Sequence, residues 1–434
     1  VMEPYIVAFV LAVLAWLLMA GDLVQRHRPV WHWYLIGYPA TAWRVVSTWR
    51  RVAVLNDLAV SRLPAHTLVG HLLVKGDPVR PVAPRASFPH VTPMGLTVLV
   101  RLHPGQTPAA YLKAADAFVH AWKVHAVRVT SPERGRVLLT AMASDPLQRP
   151  GLATAPAELL CALIGALESG GAWVMDLRQV PHWLITGATR SGKSTLLARL
   201  ITQLAPQPVA LVAIDCKGGM ELGLFTDRLS ALATSRREAV AVLSALVVDM
   251  QERMRTCRSA GVRSVWELPD KIRPVPVVVI VDEIAELYLS DGTRDSRAEA
   301  EQCSTLLLRL AQLGAALGLH LVVAGQRVGS DLGPGVTALR AQLGGRICHR
   351  VNDPGTAEMT LGDLNKDAVA VAQSITPEER GVAVCTAPDG GWSRARSHLT
   401  PTAEAVTATR KHSRITPHLP LVTRSLAAME GESK

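Results

Sequence analysis

The sequence predicts an α/β protein: a mostly parallel sheet covered by helices on both faces, preceded by a small α+β module and an apolar N-terminal helix. Three observations carry this. From about residue 170 to 388, short aliphatic runs alternate with Ala- and Leu-rich helical stretches. The runs are continuously apolar, as strands buried on both faces require. Gly187-Ala188-Thr189-Arg190-Ser191-Gly192-Lys193-Ser194 fits G-x-x-x-x-G-K-[ST] between such a run and an apolar helix that starts at Thr195. At 434 residues with 49% hydrophobic content, the chain is long enough for two or three units with cores of their own.

Residues 4–21 carry no charge. As a helix they reach ~27 Å, enough for a thin hydrocarbon core. Glu3 precedes the run, and Asp22, Arg26, His27 and Arg28 follow it. The positive-inside rule then sets a single-pass anchor in the cell membrane, with the N-terminus outside and the rest cytoplasmic. The run lacks the basic start and small-residue cleavage site of a signal peptide. Half of the ten tryptophans fall between residues 16 and 49, with Tyr34 and Tyr38 among them. Residues 30–51 therefore read as an aromatic segment at the membrane–water interface. Pro39 and His32 disfavour a second span there.

Prolines 78, 81, 84, 89 and 93 mark residues 53–95 as a linker. Residues 96–150 follow as a β-α-β-β module with a strand at 96–102, a helix at 108–122 and strands at 126–130 and 137–140. It holds no catalytic constellation and reads as scaffold. Within 151–388, strands are expected at 173–177, 183–186, 209–214, 277–281, 321–324, 347–351 and 382–386. The clearest helices are at 235–258 and 296–317. Residues 389–434 are Pro-broken and basic, and read as a flexible tail. The six cysteines are scattered with no C-x-x-C pair, which argues against zinc and against a disulfide framework.

The chemistry gathers at the carboxyl ends of these strands, where ligands of open α/β sheets bind. Gly187 to Thr195 would wrap phosphates with backbone N–H groups at a helix N-terminus. Lys193 would bridge the β- and γ-phosphates of ATP, and Ser194 would hold Mg²⁺. Five aliphatics at 277–281 end in Asp282-Glu283. Asp282 would hold Mg²⁺ through water, and Glu283 would orient and activate the attacking water. Gln326, at the end of a third strand, can touch the γ-phosphate, or can simply be a solvated strand-end residue. Asp215 and Lys217 end the strand after the phosphate loop; they pair near the nucleotide, face a neighbouring subunit, or form an ordinary turn. The net charge of +10, mostly Arg, suits nucleic acid or an anionic membrane surface.

The stretches PHWLITGATRSGKST, VALVAIDCKGGMEL, VVVIVDEIAEL, LHLVVAGQR and GGRICHRVNDPGTAEMTLGD resemble, in order and spacing, the FtsK/SpoIIIE family of double-stranded DNA translocases. With the apolar N-terminal run and the β-α-β-β unit, the chain is similar to the Tra-type conjugation proteins of actinomycetes. The resemblance implies a P-loop NTPase with a RecA-like sheet, assembled as a homo-hexamer that pumps duplex DNA through its centre for transfer of a plasmid or integrative element. It also implies the roles given above for Lys193, Ser194, Asp282, Glu283 and Gln326. The family's trans-acting arginine aligns with Ala315, which leaves Arg309, Arg327 and Arg346 as substitutes, and Asp215 and Lys217 as coupling candidates. About 48 residues follow Thr386, fewer than a winged-helix reader and linker need, so sequence-specific loading is not expected. A protein-export motor shares these motifs but usually carries several tandem ATPase units, and one phosphate loop is present here. A nucleotide-gated assembly protein with weak hydrolysis is the third reading, and Ala315 is its argument.

Overall fold

The computed structural model describes residues 29–61, 81–148, 158–362, 364, 366–387 and 390–432. Two compact units divide the chain, Val1–Gln148 and Arg149–Lys434. The expected anchor at 4–21 lies outside the described residues. Among the described residues, no helix is long and apolar enough to cross a membrane.

In the first unit, α1 (Pro29–His32) runs through a π-helical turn (Trp33–Gly37) into α2 (Tyr38–Leu55). A two-stranded ribbon, β1 (Val60–Ser61) with β2 (Pro81–Val82), precedes an antiparallel sheet. That sheet holds β3 (Arg85–Ala86), β4 (His90–Thr92), β5 (Gly95–Arg101), β6 (Ala126–Thr130) and β7 (Arg136–Met142). Its order is β3-β5-β7-β6, with β4 beside β5. The expected helix at 108–122 is broken at Ala114 into α3 (Pro108–Lys113) and α4 (Ala115–Trp122). Alternate residues Leu96, Val98 and Val100 of β5, and Val137, Leu139 and Ala141 of β7, face one core with Phe118 and Trp122 of α4.

Two expectations are corrected here. The aromatic segment does not spend all its rings on an interface: Val45, Trp49, Val52 and Ala53 of α2 lie in the same core, and Trp49 stacks on Phe118 with centroids 5.9 Å apart. The described part of the Pro-rich stretch, 81–95, is not a free linker either. Trp33 Nε1 donates to Thr92 O at 2.9 Å, Tyr38 Oη to Pro89 O at 2.7 Å and Trp49 Nε1 to Pro84 O at 2.8 Å. Prolines lack an N–H but keep their carbonyls, and the amphipathic rings supply matching donors. Trp31 and Trp43 remain 61% and 74% exposed.

The second unit is built on ten strands: β8 (Cys161–Leu167), β9 (Ala172–Asp176), β10 (His182–Thr186), β11 (Ala210–Ile214), β12 (Ala231–Ala233), β13 (Val277–Val281), β14 (Leu319–Gly325), β15 (Gly345–His349), β16 (Val382–Thr386) and β17 (Trp392–Ser397). The order is β12-β11-β13-β14-β10-β15-β16-β17-β8-β9. The six strands from β12 to β15 are parallel, and the remaining pairings are antiparallel. The sheet is thus mixed rather than mostly parallel, because two antiparallel hairpins, β16–β17 and β8–β9, extend it beyond β15.

The apolar runs are explained by burial on both faces. In β13, Val277, Val279 and Val281 enter one core, while Val278 and Ile280 enter the other. The first core is covered by α6 (Arg236–Ser259) and α8 (Arg294–Leu313), and the second by α5 (Lys193–Leu204). The short helix α7 (Ala285–Tyr288) lies between β13 and α8. Between β14 and β16 lie α9 (Val336–Gln342), α10 (Pro354–Leu361) and α11 (Lys366–Gln373).

The described residues of the expected flexible tail form a strand and helices instead. β17 inserts between β16 and β8. Its Arg394 is buried and ion-paired with Glu168 at 3.2 Å and with Glu379, so it is not a phosphate contact. Helix α12 (Thr402–Arg410) packs on α5, and α13 (Pro420–Glu432) packs on α6, with Leu419 and Val422 in the core.

Candidate active site

The phosphate loop leaves the end of β10 and enters α5. Its fold demands particular residues. Gly192 adopts φ +120°, and a Cβ there would lie 2.6 Å from Gly381 Cα. A Cβ on Gly187 would lie 2.5 Å from Ser191 Oγ. The loop is tied to flanking strands through Gly187 N to Gly325 O (3.3 Å), Ala188 N to Arg350 O (2.8 Å) and Gly381 N to Ser191 O (2.8 Å). Thr189, Arg190 and Ser194 face outward, and Ser191 is buried behind them.

β11, β13 and β14 are paired in register, so their ends deliver side chains to one place. Lys193 is buried and its Nζ donates to Asp282 O at 2.7 Å. The same ammonium stands 3.7 Å from Asp282 Oδ1 and 3.4 Å from Glu283 Oε2. Lys217 Nζ reaches Glu283 Oε2 at 3.5 Å from the other side. Gln326 donates its backbone N–H to Glu283 Oε1 at 3.0 Å, and its side chain is exposed. Lys193, Lys217, Asp282, Glu283 and Gln326 thus form one cluster.

Asp282 tests the fit of a cation. Burial pushes its carboxyl above the ordinary carboxylate range; Lys193 and Lys217 pull it down, and Asp215 and Glu221 push it up. Its Oδ1 is buried without a hydrogen-bond partner. Ser194 and Asp282 line the same small cavity. A buried, unsatisfied carboxylate oxygen beside a hydroxyl is the hard-oxygen donor set that Mg²⁺ accepts. The residues fit the ion.

A larger cleft of about 570 Å³ opens beside the cluster, lined among others by Lys217, Glu283, Gln326, Arg327, Asp331 and Asp353. Arg327 is exposed on its wall, while Arg309 is exposed on α8 and lines neither cavity. Two candidates for reaching a neighbouring subunit are corrected. Arg346 is buried in β15, with Nη2 donating to Arg340 O at 2.7 Å. Asp215 is fully buried, and its carboxylate accepts the N–H groups of Lys217 (3.3 Å), Glu221 (2.9 Å) and Leu222 (2.9 Å). It shapes the turn that carries Lys217. Ala315 lies in a single 3-10 turn after α8.

Four residues were missed from sequence. His349 is buried behind the loop; its Nδ1 donates to Val382 O at 3.0 Å, and burial holds it neutral by pushing its pKa down to about 4. Arg350 clamps Thr189 O at 3.2 Å. Both lie in the stretch GGRICHRVNDPGTAEMTLGD, whose position at a strand end was the available signal. Thr400 and Thr402, from the segment read as a tail, line the cavity with Ser194 and Asp282, and no local pattern marks them.

Comparison with known proteins places the two units. The profile of the actinomycete conjugal transfer protein N-terminal domain matches residues 19–143, and that of the FtsK/SpoIIIE family matches residues 146–276 and 269–330. The chain is 41% identical over 341 residues to "Transfer protein TraSA" of Streptomyces ambofaciens, covering 76% of this chain and 82% of that protein. It is 47% identical over 262 residues to "Sporulation regulatory protein" of Streptomyces azureus, covering 60% of this chain and 84% of that one. "DNA translocase FtsK" of Campylobacter jejuni is 28% identical over 281 residues, covering 59% of this chain but 28% of that longer protein. Among solved structures, the monomer form of the pCW3 conjugation coupling protein TcpA with ATPγS superimposes with TM-score 0.58 at 19% identity, covering 86% of this chain and 99% of that one. That likeness concerns the fold.

Proposed function

Because the chain belongs to the FtsK/SpoIIIE family, and carries ahead of its motor unit the N-terminal domain of actinomycete conjugal transfer proteins, we propose that it hydrolyses ATP to move double-stranded DNA during conjugal transfer. The carrying observation is the cluster at the strand ends: a buried lysine, an unsatisfied carboxylate and an oriented second carboxylate within one ion-pair network. The proposed active form is a membrane-anchored homo-hexamer with the motor in the cytoplasm. The uncharged run 4–21 supports the anchor. So does the outward side of α1, the π-helical turn and α2, where Trp31, Leu35 and Trp43 are exposed on a stretch without a single acidic residue.

Lys193 and the phosphate-loop N–H groups would bind the triphosphate of ATP, and Ser194 and Asp282 would hold magnesium, which supplies charge neutralisation. Glu283, fixed by the Gln326 amide, is the acceptor for the proton of the attacking water. Gln326 places its side chain in the cleft beside that carboxylate, where it would meet the γ-phosphate. The test is the ATPase rate of the wild type and of Lys193→Ala with and without duplex DNA. DNA should raise the wild-type rate and leave the variant silent. Indifference of the wild-type rate to DNA would refute the DNA motor.

A further inference from the structure

We infer that Lys217 is a positioning residue that holds Glu283 back from the attacking water while its ammonium stays on that carboxylate. The inference rests on the ATPase reading above. Glu283 is buried, and both of its oxygens are engaged. Oε1 accepts from Gln326 N at 3.0 Å, and Oε2 faces Lys193 Nζ at 3.4 Å and Lys217 Nζ at 3.5 Å. Oε2 thus accepts one hydrogen bond, from Lys193, and is ion-paired with Lys217 as well.

The two lysines differ in what else they can serve. Lys193 opens helix α5 directly under the phosphate loop, and a bound triphosphate recruits its ammonium. Lys217 lies outside that loop, on the turn after β11, and its side chain is 39% exposed toward the large cleft. With Lys193 drawn to phosphate, Lys217 remains the group that water must displace from Oε2.

The backbone of this turn is held, and its tip is exposed. Its base is pinned by buried Asp215 through three N–H groups. Gly218 and Gly219 then both take φ +73°, a conformation that glycine enters and leaves without a Cβ penalty. Beyond them Met220 is 78% exposed and Leu224 49% exposed. Withdrawal of the Lys217 side chain into the cleft, with its backbone N–H still held by Asp215, leaves Oε2 open to water.

Two measurements test this. In the nucleotide-free protein, hydrogen exchange over residues 216–223 is compared among wild type, Lys217→Met, Glu283→Gln and the double variant. Each single change should speed exchange, and the double variant should exchange no faster than the faster single one, the mark of one shared interaction. In DNA-free turnover, Lys217→Met should raise kcat about fivefold, the scale of a partly exposed ion pair, with the Kd for ATP unchanged. Lys217→Arg should stay at the wild-type rate. Additive exchange effects overturn the inference. So does a Lys217→Met kcat at or below wild type with ATP still bound. Weakened ATP binding in Lys217→Met also overturns it, since Lys217 would then belong to the phosphates. If wild type and every variant bind ATP but none turns it over, the ATPase reading fails separately, and the exchange arm alone decides the role of Lys217. Should Lys217→Met not fold, wild-type exchange in Lys217→Arg together with faster exchange in Glu283→Gln sustains the inference, and the reverse pattern overturns it.

Discussion

Glu283 depends on two neighbours that contribute only backbone. Gln326 gives it an N–H, and Gly325 gives it room: a Cβ there would lie 3.1 Å from Glu283 Oε1 and 2.8 Å from Ile284 Cγ2. Gly325→Ala should therefore push the carboxylate out of place and lower turnover by about tenfold or more, with ATP affinity unchanged in an equilibrium binding assay. Glu283→Gln keeps an acceptor for Gln326 but cannot take a proton, so it should bind ATP and turn it over about 10²- to 10⁴-fold more slowly. Wild-type turnover in that variant would show that another group is the base. A second residue-scale effect concerns acid. Burial pushes His182 and His320 down to about 4. His182 Nδ1 accepts the Leu321 N–H at 3.1 Å, which only an unprotonated nitrogen can do. Both groups bind protons more weakly folded than unfolded. Their contribution to stability is complete above the ordinary histidine pKa of 6.5 and is lost as pH falls through that value toward 4. Thermal unfolding of the motor unit should show Tm falling across this window, and His320→Leu should flatten the fall.

At the scale of elements, the ordered C-terminal segment makes the sharpest claim. Val422 of α13 is 1% exposed and lies in the core with α6. Val422→Asp would bury an unpaired charge, and the motor unit should lose at least ~3 kcal/mol, read from denaturant unfolding. A flexible tail would tolerate the change. In the other unit, Trp49→Ala removes the stack on Phe118 and the donor to Pro84 O, and should cost about 3–5 kcal/mol in a separate transition. These two elements also mark the limit of what was legible in the sequence. The phosphate loop and the Asp282-Glu283 strand tip were legible as local patterns with a required neighbour, strand before and helix after; Gln326 was legible as a strand end, and its role rested on the family resemblance. The helical character of 108–122 and the strands around it were readable from period, but the break at Ala114 was not. The tail was not readable, because 392–397 alternates only weakly and becomes a strand between its near neighbour β16 and β8, which is remote in the chain. The destination of Trp33, Tyr38 and Trp49 was not readable either: a ring that suits a membrane interface suits a half-polar protein core equally well. Arg346 and Asp215 looked available as charges, and only the packing shows where those charges go.

At the scale of the whole molecule, the excess of ten positive charges has to be reconciled with how many of them are occupied. Arg228 and Arg253 are buried, donating to backbone carbonyls, and Arg394 and Arg346 are internal as well. The charge left for a polyanion is smaller than the sequence suggests, and it is carried by exposed residues such as Arg309 and Arg327. Two consequences separate a DNA motor from a protein-export motor. Phosphate contacts release counterions, so duplex affinity should drop by ~10³-fold between about 50 and about 200 mM salt if six or more phosphates are neutralised. Phosphates carry no base identity, so a random duplex should compete with a plasmid-derived one at equal concentration. The proposed ring adds a further condition. The family resemblance implies a trans-acting arginine where this chain has Ala315, and exposed Arg327 on the cleft wall is the residue we propose in its place. Arg327→Ala should then lower DNA-stimulated turnover about tenfold or more while each subunit still binds ATP, and mixing it with Lys193→Ala should restore part of the rate, since each defective subunit supplies what the other lacks. Arg309→Ala, which lines neither cavity, is the control and should remain near wild type. Full activity of Arg327→Ala would return the trans role to another residue, and full activity of both variants would favour a motor that fires without a neighbour's arginine.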